Sequence, residues 1–209
     1  MGHLIIKICG VRTLDDALYA VEQGADAVGF NFYQLSKRYI SPDHTAEIIS
    51  SLPAGIMRVG VFVNPEREFV EAVLRNNKLS ALQFSGNETP EAISEYHLPV
   101  IKAIHIANAE SIGEMKSFRV DSFLLDTFRS EDFGGTGTTF DWNIAVAAKQ
   151  FGKVMIAGGL TPENVADAVR KVKPYGVDVS SGVEISPGIK DHKKTKEFIL
   201  RAREASIAG

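Results

Sequence analysis

Cysteine is nearly absent from this chain of 209 residues, and the one that occurs, Cys9, has no internal partner for a disulfide. That scarcity suits a reducing compartment. No Lys/Arg-rich block stands out, and 23 basic against 26 acidic residues leave a formal charge of -3, with no surplus to neutralise a phosphate backbone. Nucleic acid is not an expected partner. No apolar run approaches the length of a membrane span, and residues 4–8 are too short for a signal-peptide core, are interrupted by Lys7 and precede no small-residue cleavage pattern. The expected location is therefore the cytoplasm, with no membrane partner. His3, His44, His97, His105 and His192 show no metal-ligand spacing, and neither an HExxH motif nor a cysteine cluster occurs. Nothing in the sequence calls for a metal. A Pro- or Ser-rich linker, a low-complexity segment and a composition break are also missing, so a second domain has nowhere to begin. With 44% hydrophobic residues, the chain can bury one sizeable core, and a single domain over residues 1–209 is expected.

What is present is an alternation of short β-rich apolar segments with longer helical patterns, which argues for parallel strands joined by helical crossovers. The strands read as residues 4–9, 27–32, 58–63, 81–84, 100–106, 122–126, 154–157 and 177–180. Helix starts are signalled by Thr13 with Asp16 three residues on, Ser41 before Pro42, Asn64 before Pro65 and Thr161 before Pro162, each offering a capping oxygen ahead of a first turn. Gly24 and Gly176 stand where helices should end in a left-handed residue. Eight βα units in this length predict an α/β fold of one kind, a single (β/α)8 barrel near its lower size limit.

In such a barrel chemistry gathers at the carboxyl ends of the strands, and Cys9 closes the first strand. A buried inert thiol is the plain alternative. Asp126 ends the sixth strand, so a carboxyl group and a thiol share one rim, a pattern suited to proton transfer. Lys7 is two residues before Cys9 and so on the same face, where an inward ammonium would favour the thiolate and is expected among the substrate contacts; an outward, solvated lysine is equally compatible. Arg38, in the loop after the second strand, can clamp a carboxylate by two parallel hydrogen bonds or simply lie on the surface. After the seventh strand comes Gly158-Gly159-Leu160-Thr161, and after the eighth Ser180-Ser181-Gly182. Either loop alone could be a plain tight turn, but the two together predict a phosphate site, with the hydroxyls of Ser180 and Ser181 as added donors. The acid and base are expected to face these loops from across the rim. Gly134, Gly135 and Gly137 form a third glycine-rich stretch; it lacks the Gly-Lys-Ser/Thr of a Walker loop and reads as a cover over the site or as a plain connection.

Lys7-Ile8-Cys9-Gly10, Gly24-Ala25-Asp26-Ala27-Val28-Gly29-Phe30, Ser36-Lys37-Arg38-Tyr39-Ile40, Gly135-Thr136-Gly137 and Phe140-Asp141-Trp142 follow one another along the chain. Further on come Gly158-Gly159-Leu160-Thr161-Pro162-Glu163-Asn164-Val165, Asp178-Val179-Ser180-Ser181-Gly182-Val183-Glu184 and Pro187-Gly188-Ile189-Lys190-Asp191. In this order and spacing, nearly end to end, the chain resembles the phosphoribosylanthranilate isomerases of tryptophan biosynthesis. The resemblance implies a barrel enzyme that converts N-(5-phospho-β-D-ribosyl)anthranilate to 1-(2-carboxyphenylamino)-1-deoxy-D-ribulose 5-phosphate by an Amadori rearrangement, without metal or organic cofactor. It implies Asp126 as the acid that protonates the ribose ring oxygen and Cys9 as the base at the sugar C2. Arg38 would meet the anthranilate carboxylate, and the backbone around Gly158, Gly159, Ser181 and Gly182 the phosphate. The partner implied is a small phosphorylated molecule, and the chain a monomer or homodimer. One departure is visible: Gln83-Phe84-Ser85-Gly86 stands where the family usually has Gln-Leu-His-Gly, so the customary histidine is Ser85. Asp178 is expected to be a structural carboxylate at the barrel end. Competing readings are a histidine-pathway or dual-substrate isomerase, disfavoured by Cys9 and a single evident phosphate site, and a phosphate-binding barrel without turnover. A redox or covalent role for Cys9 lacks a resolving cysteine.

Overall fold

A computed structural model of the protein describes residues 2–127 and 139–208. Within them β1 (Ile5–Cys9), β2 (Ala27–Asn31), β3 (Met57–Phe62), β4 (Ala81–Phe84), β5 (Val100–Ile106), β6 (Ser122–Thr127), β7 (Val154–Ile156) and β8 (Gly176–Val179) form a closed parallel barrel in sequence order. The expected (β/α)8 architecture holds, with strand ends within one residue of those read from the sequence. Helices α1 (Leu14–Glu22), α2 (Pro42–Ser50), α3 (Arg67–Asn76), α4 (Pro90–Ile93), α5 (Trp142–Ala148), α6 (Val165–Val172) and α7 (His192–Ile207) make the outer layer. A 3-10 stretch, Ala109–Ser117, replaces a helix after β5, and a hairpin of β9 (Glu184–Ser186) and β10 (Ile189–Lys190) precedes α7.

Alternation along each strand separates two apolar layers. Ile6, Ile8, Val28, Phe30, Leu82 and Phe84 face outward into the cluster shared with the helices. Ala27, Val59, Ala81, Ile101, Ala103, Leu124 and Met155 form the smaller cluster inside the barrel. With Ala157 added, four alanines in that inner layer leave the axial space that longer polar side chains occupy.

Two of the predicted caps are real: the Thr13 hydroxyl accepts from the Asp16 amide at 3.1 Å, and the Ser41 hydroxyl from the His44 amide at 3.3 Å. Two are not. Asn64 adopts φ 44 and turns its side-chain oxygen to the Asn87 amide at 2.7 Å, so α3 begins only at Arg67, without a side-chain cap. Thr161 accepts from the Glu163 amide within a turn, and α6 starts later, at Val165. Gly24 is left-handed as expected (φ 97), whereas Gly176 lies inside β8 and the left-handed position falls on Lys173 (φ 48). Gly176 is needed for another reason. A Cβ there would stand 2.8 Å from the Ile5 carbonyl oxygen, across the seam where the last strand meets the first.

That seam carries a buried ion pair. Lys7 and Asp178 are register partners on β1 and β8, and the fully buried Lys7 ammonium donates to the Asp178 carboxylate at 2.7 Å and to Gln83 Oε1 of β4 at 2.8 Å. A buried ion whose partner is removed is left uncompensated, which costs about 3–5 kcal/mol. Asp178→Ala is therefore expected to destabilise the protein by about that amount in urea unfolding, and adding Lys7→Met should recover a large part of the loss. Equal stability of Asp178→Ala and the parent would show that the pair does not hold the seam.

Candidate active site

A cavity of about 310 Å³ opens at the carboxyl ends of the barrel strands. Cys9, Asn31, Arg38, Gln83, Ser85, His105, Asp126, Gly158, Gly159, Asp178, Ser180 and Ser181 all line it. Each comes from a strand end or the loop that follows, which is why residues far apart in sequence meet here.

Cys9 is buried at the cavity floor, 9% exposed. Its sulfur packs against the Cα of Gly29 on β2: a Cβ at that glycine would lie 2.8 Å from Sγ and 3.1 Å from Lys7 Cε. Gly29 thus makes room for the thiol, a role that a mid-strand glycine signals but does not specify. Burial pushes the Cys9 thiol up from its ordinary value; Lys7 and Lys190 pull it back, Asp178 opposes them, and burial prevails. The thiolate-favouring effect expected of Lys7 is present but outweighed. Lys7 itself stays charged: burial works against the ammonium, and Asp178 together with the Cys9 sulfur more than offsets it. Lys7, expected among the substrate contacts, is not part of the cavity lining and sits fully buried one layer below.

Asp126 lies on β6 with its Oδ1 accepting from the Thr127 amide at 2.8 Å. Gly158 packs directly on it. A Cβ at Gly158 would come within 2.6 Å of Asp126 Oδ1 and 2.5 Å of the Thr127 amide nitrogen, so this glycine both turns the loop, at φ 73, and lets it approach the carboxyl group. Gly159 follows with φ 68, and two successive left-handed residues reverse the backbone sharply at the rim. The β8 loop docks on this turn through Gly182, where a Cβ would overlap the Leu160 carbonyl oxygen at 1.9 Å. Gly182, half-buried, is outside the cavity lining.

Circular strand order changes the expected layout. Because β8 closes on β1, the glycine loops of β7 and β8 lie between Asp126 on β6 and Cys9 on β1, on the shorter arc, rather than across the rim from them. Arg38 continues the same arc after β2 and is no surface arginine. Its Nε and Nη2 donate to the two oxygens of Glu184 at 2.8 and 2.7 Å. Burial alone would raise the Glu184 carboxyl, but Arg38 and Lys190 hold it below its usual range.

The fourth-loop departure is also resolved geometrically. Ser85 accepts from Gln83 Nε2 at 3.0 Å, and its carbonyl oxygen is 3.1 Å from His105 Nε2. A histidine does line the rim, from β5, in register with Asp126. Gln83, His105, Gly29, Glu184 and Lys190 carried no role in the sequence reading; the first three fall within strands read there, Glu184 and Lys190 lie on a hairpin that was not, and none of their contacts was legible. Gly134, Gly135 and Gly137 lie outside the described residues. Among the described residues no cluster of His, Cys, Asp and Glu could hold a metal ion.

Comparison with known proteins agrees with this geometry. The N-(5'-phosphoribosyl)anthranilate (PRA) isomerase family model matches residues 6–201. The N-(5'-phosphoribosyl)anthranilate isomerase of Geotalea uraniireducens (strain Rf4) is 50% identical over 198 residues, which cover 95% of this chain and 98% of that one. Its counterpart in Geobacter sulfurreducens (strain ATCC 51573 / DSM 12127 / PCA) is 48% identical over the same shares. The crystal structure of phosphoribosyl anthranilate isomerase from Thermotoga maritima superposes with a TM-score of 0.89 at 44% identity, covering 97% of this chain and all of that one. A further isomerase structure, holding reduced 1-(o-carboxyphenylamino)-1-deoxyribulose 5-phosphate, has a TM-score of 0.85 at 42% identity, with 97% and 100% covered. By family model, sequence identity and fold alike, the chain belongs to the N-(5'-phosphoribosyl)anthranilate isomerase family.

Proposed function

We propose that the chain catalyses the isomerisation of N-(5-phosphoribosyl)anthranilate to 1-(2-carboxyphenylamino)-1-deoxyribulose 5-phosphate in tryptophan biosynthesis, with Asp126 as general acid and Cys9 as general base. The single observation that carries the reading is the arc of strand ends from β6 to β2, which offers a carboxyl group, two glycine turns, a thiol and an arginine in that order around one cavity. The glycine turns suit the phosphate, since backbone amides can approach an anion where no side chain intervenes. Ser180 and Ser181 stand beside them as hydroxyl donors, and Gly182 sets the approach of the two loops. Arg38 suits the anthranilate carboxylate at the other end. Two anchors at the ends of the substrate hold its reacting carbons between the acid and the base.

In the first step the protonated Asp126 carboxyl gives its proton to the ribose ring oxygen while the C1–O bond breaks and the nitrogen lone pair forms the C=N bond of a Schiff base. In the second the Cys9 thiolate takes the C2 proton, and the electron pair left behind moves toward nitrogen to give an enolamine. Tautomerisation to the C2 ketone completes an isomerisation in which no atom is gained or lost, and neither cofactor nor metal is required by any step. The buried Lys7 ammonium acts from below as a fixed positive charge beside the thiolate. It is a positioning charge in this scheme, and does not contact substrate. The same reading places the protein in the cytoplasm, acting as a monomer or homodimer on a small phosphorylated substrate.

Loss of a general acid or base costs about 10²–10⁴ in rate. Cys9→Ala and Asp126→Asn should each lower kcat by a factor in that range, read as the decline in anthranilate fluorescence of substrate generated in situ, with KM changed far less. Full turnover by both variants would overturn the assigned roles, and tight binding without turnover by the parent would make the chain a binding module. The scheme needs Asp126 protonated and Cys9 ionised together, so kcat/KM should pass through an optimum in pH, and because burial raises the Cys9 thiol the alkaline limb of that optimum should lie above the ordinary thiol value of about 8.5. Lys7→Met removes a charge that favours the thiolate, so the limb should move further toward alkaline pH. An alkaline limb that Lys7→Met leaves in place would remove the thiolate from the mechanism.

A further inference from the structure

Glu184 and Lys190 belong to the β9–β10 hairpin, outside the barrel sheet, yet their side chains are buried between the ends of β8, β1 and the β2 loop. Glu184 is an unusual acceptor. Its Oε1 takes Arg38 Nε at 2.8 Å, Lys190 Nζ at 2.9 Å and the Gly188 amide at 3.2 Å, and its Oε2 takes Arg38 Nη2 at 2.7 Å. Lys190 in turn donates to the Cys9 carbonyl at 2.5 Å and reaches the Ser180 carbonyl at 3.4 Å. One carboxylate therefore joins the arginine of the β2 loop to the backbone that carries the thiol and to the β8 loop. The arginine stem is confined as well, since a Cβ at Gly10 would lie 2.7 Å from Arg38 Cδ.

A guanidinium has five N–H donors arranged along two usable edges, the Nε/Nη2 side and the Nη1/Nη2 end. Glu184 occupies the first edge in the two-bond geometry that fixes the plane of the group. The second edge has no part in that pairing, and Arg38 lines the cavity. From this geometry we infer that Glu184 is a positioning residue for substrate: it holds Arg38 by one edge so that the other presents a preset fork to the anthranilate carboxylate, and Lys190 locks Glu184 to the catalytic rim. The proposal rests on the reading of Arg38 as the carboxylate contact. The buried cluster has two cations and one anion, so it keeps a net positive charge for a second carboxylate to neutralise. Glu184 is what allows two cations to be buried there at all, and it selects for a carboxylate at one place and angle.

The experiment compares two ligands, the reduced carboxyphenylamino ribulose phosphate and the same compound lacking the carboxyl group, titrated by calorimetry against the parent and Glu184→Gln. The variant keeps the shape of the side chain and removes its charge. Loss of one charge-assisted contact corresponds to about ten- to hundredfold in affinity. That loss is expected for the carboxylated ligand only, with the decarboxylated ligand bound within about twofold of the parent. In turnover the same variant should raise KM more than it lowers kcat. Parallel weakening of both ligands would mean a merely structural role and would overturn the proposal, as would no change in either. Should Glu184→Gln fold poorly, Glu184→Asp keeps the charge and withdraws it by one methylene, and the selective loss for the carboxylated ligand is expected there too. If the parent itself does not prefer the carboxylated ligand, Arg38 is not its contact, and the proposal falls with that assignment while the acid and base roles of Asp126 and Cys9 stand.

Discussion

A positive charge buried at the centre of the barrel governs how the rest of this molecule is built. Lys7 has no access to solvent, so its ammonium must be met from within, and the two partners that meet it come from strands remote in sequence, Asp178 of β8 and Gln83 of β4. The charge can be carried only if the barrel closes in one register, because β1 and β8 are the seam and Lys7 and Asp178 are opposite each other across it. The same charge acts on Cys9, one inward position further along β1. Burial drives the thiol toward its neutral form while Lys7 draws it toward the thiolate, so the pair sets the basicity of the group that the proposed mechanism uses. Stability and the proposed chemistry thus both depend on how this one ion is met.

Outward from that centre, polar groups appear at the carboxyl rim in a functional sequence. Loops after β7 and β8 require glycine because they approach other backbone: Gly158 reaches Asp126, and Gly182 meets the Leu160 carbonyl. The glycines therefore bring the β7 turn against Asp126 and lock the two turns together. On the other side of β1, Glu184 and Lys190 do comparable work with charges. They reach into the rim from a hairpin and tie Arg38, Cys9 and Ser180 into one unit. A rim organised in this way needs little rearrangement to receive a substrate with an anion at each end, which reduces the ordering cost of binding.

Much of the fold was legible because it rests on local signals. Alternation of apolar residues, the caps at Thr13 and Ser41 and the left-handed Gly24 depend on neighbours within a few positions, and each behaves as its sequence predicts. Asn64, Thr161 and Gly176 fail for a shared reason. The side chain of Asn64 is taken by Asn87, Thr161 is absorbed in a turn, and Gly176 is required by the approach of Ile5 across the seam, so contacts other than the expected cap decided their conformations. Site residues divide in the same way. That Cys9, Asp126 and the two glycine loops end strands was readable; that Lys7 shares a face with Cys9 was readable too, but only the closed barrel showed that this face is inward.

The sequence by itself determined the barrel, the family and the list of groups at its rim, because strand periodicity, strand ends and turn glycines are properties of short segments. Only tertiary structure decided what those groups face. It placed the glycine turns between Asp126 and Cys9, because closing β8 onto β1 makes neighbours of the chain's two ends. It turned Arg38 from a surface candidate into one end of a buried clamp, and it showed that burial outweighs Lys7 at the Cys9 thiol. Ionic partners and desolvation depend on distances between segments that the chain order leaves far apart, and those distances come into being only when the barrel closes.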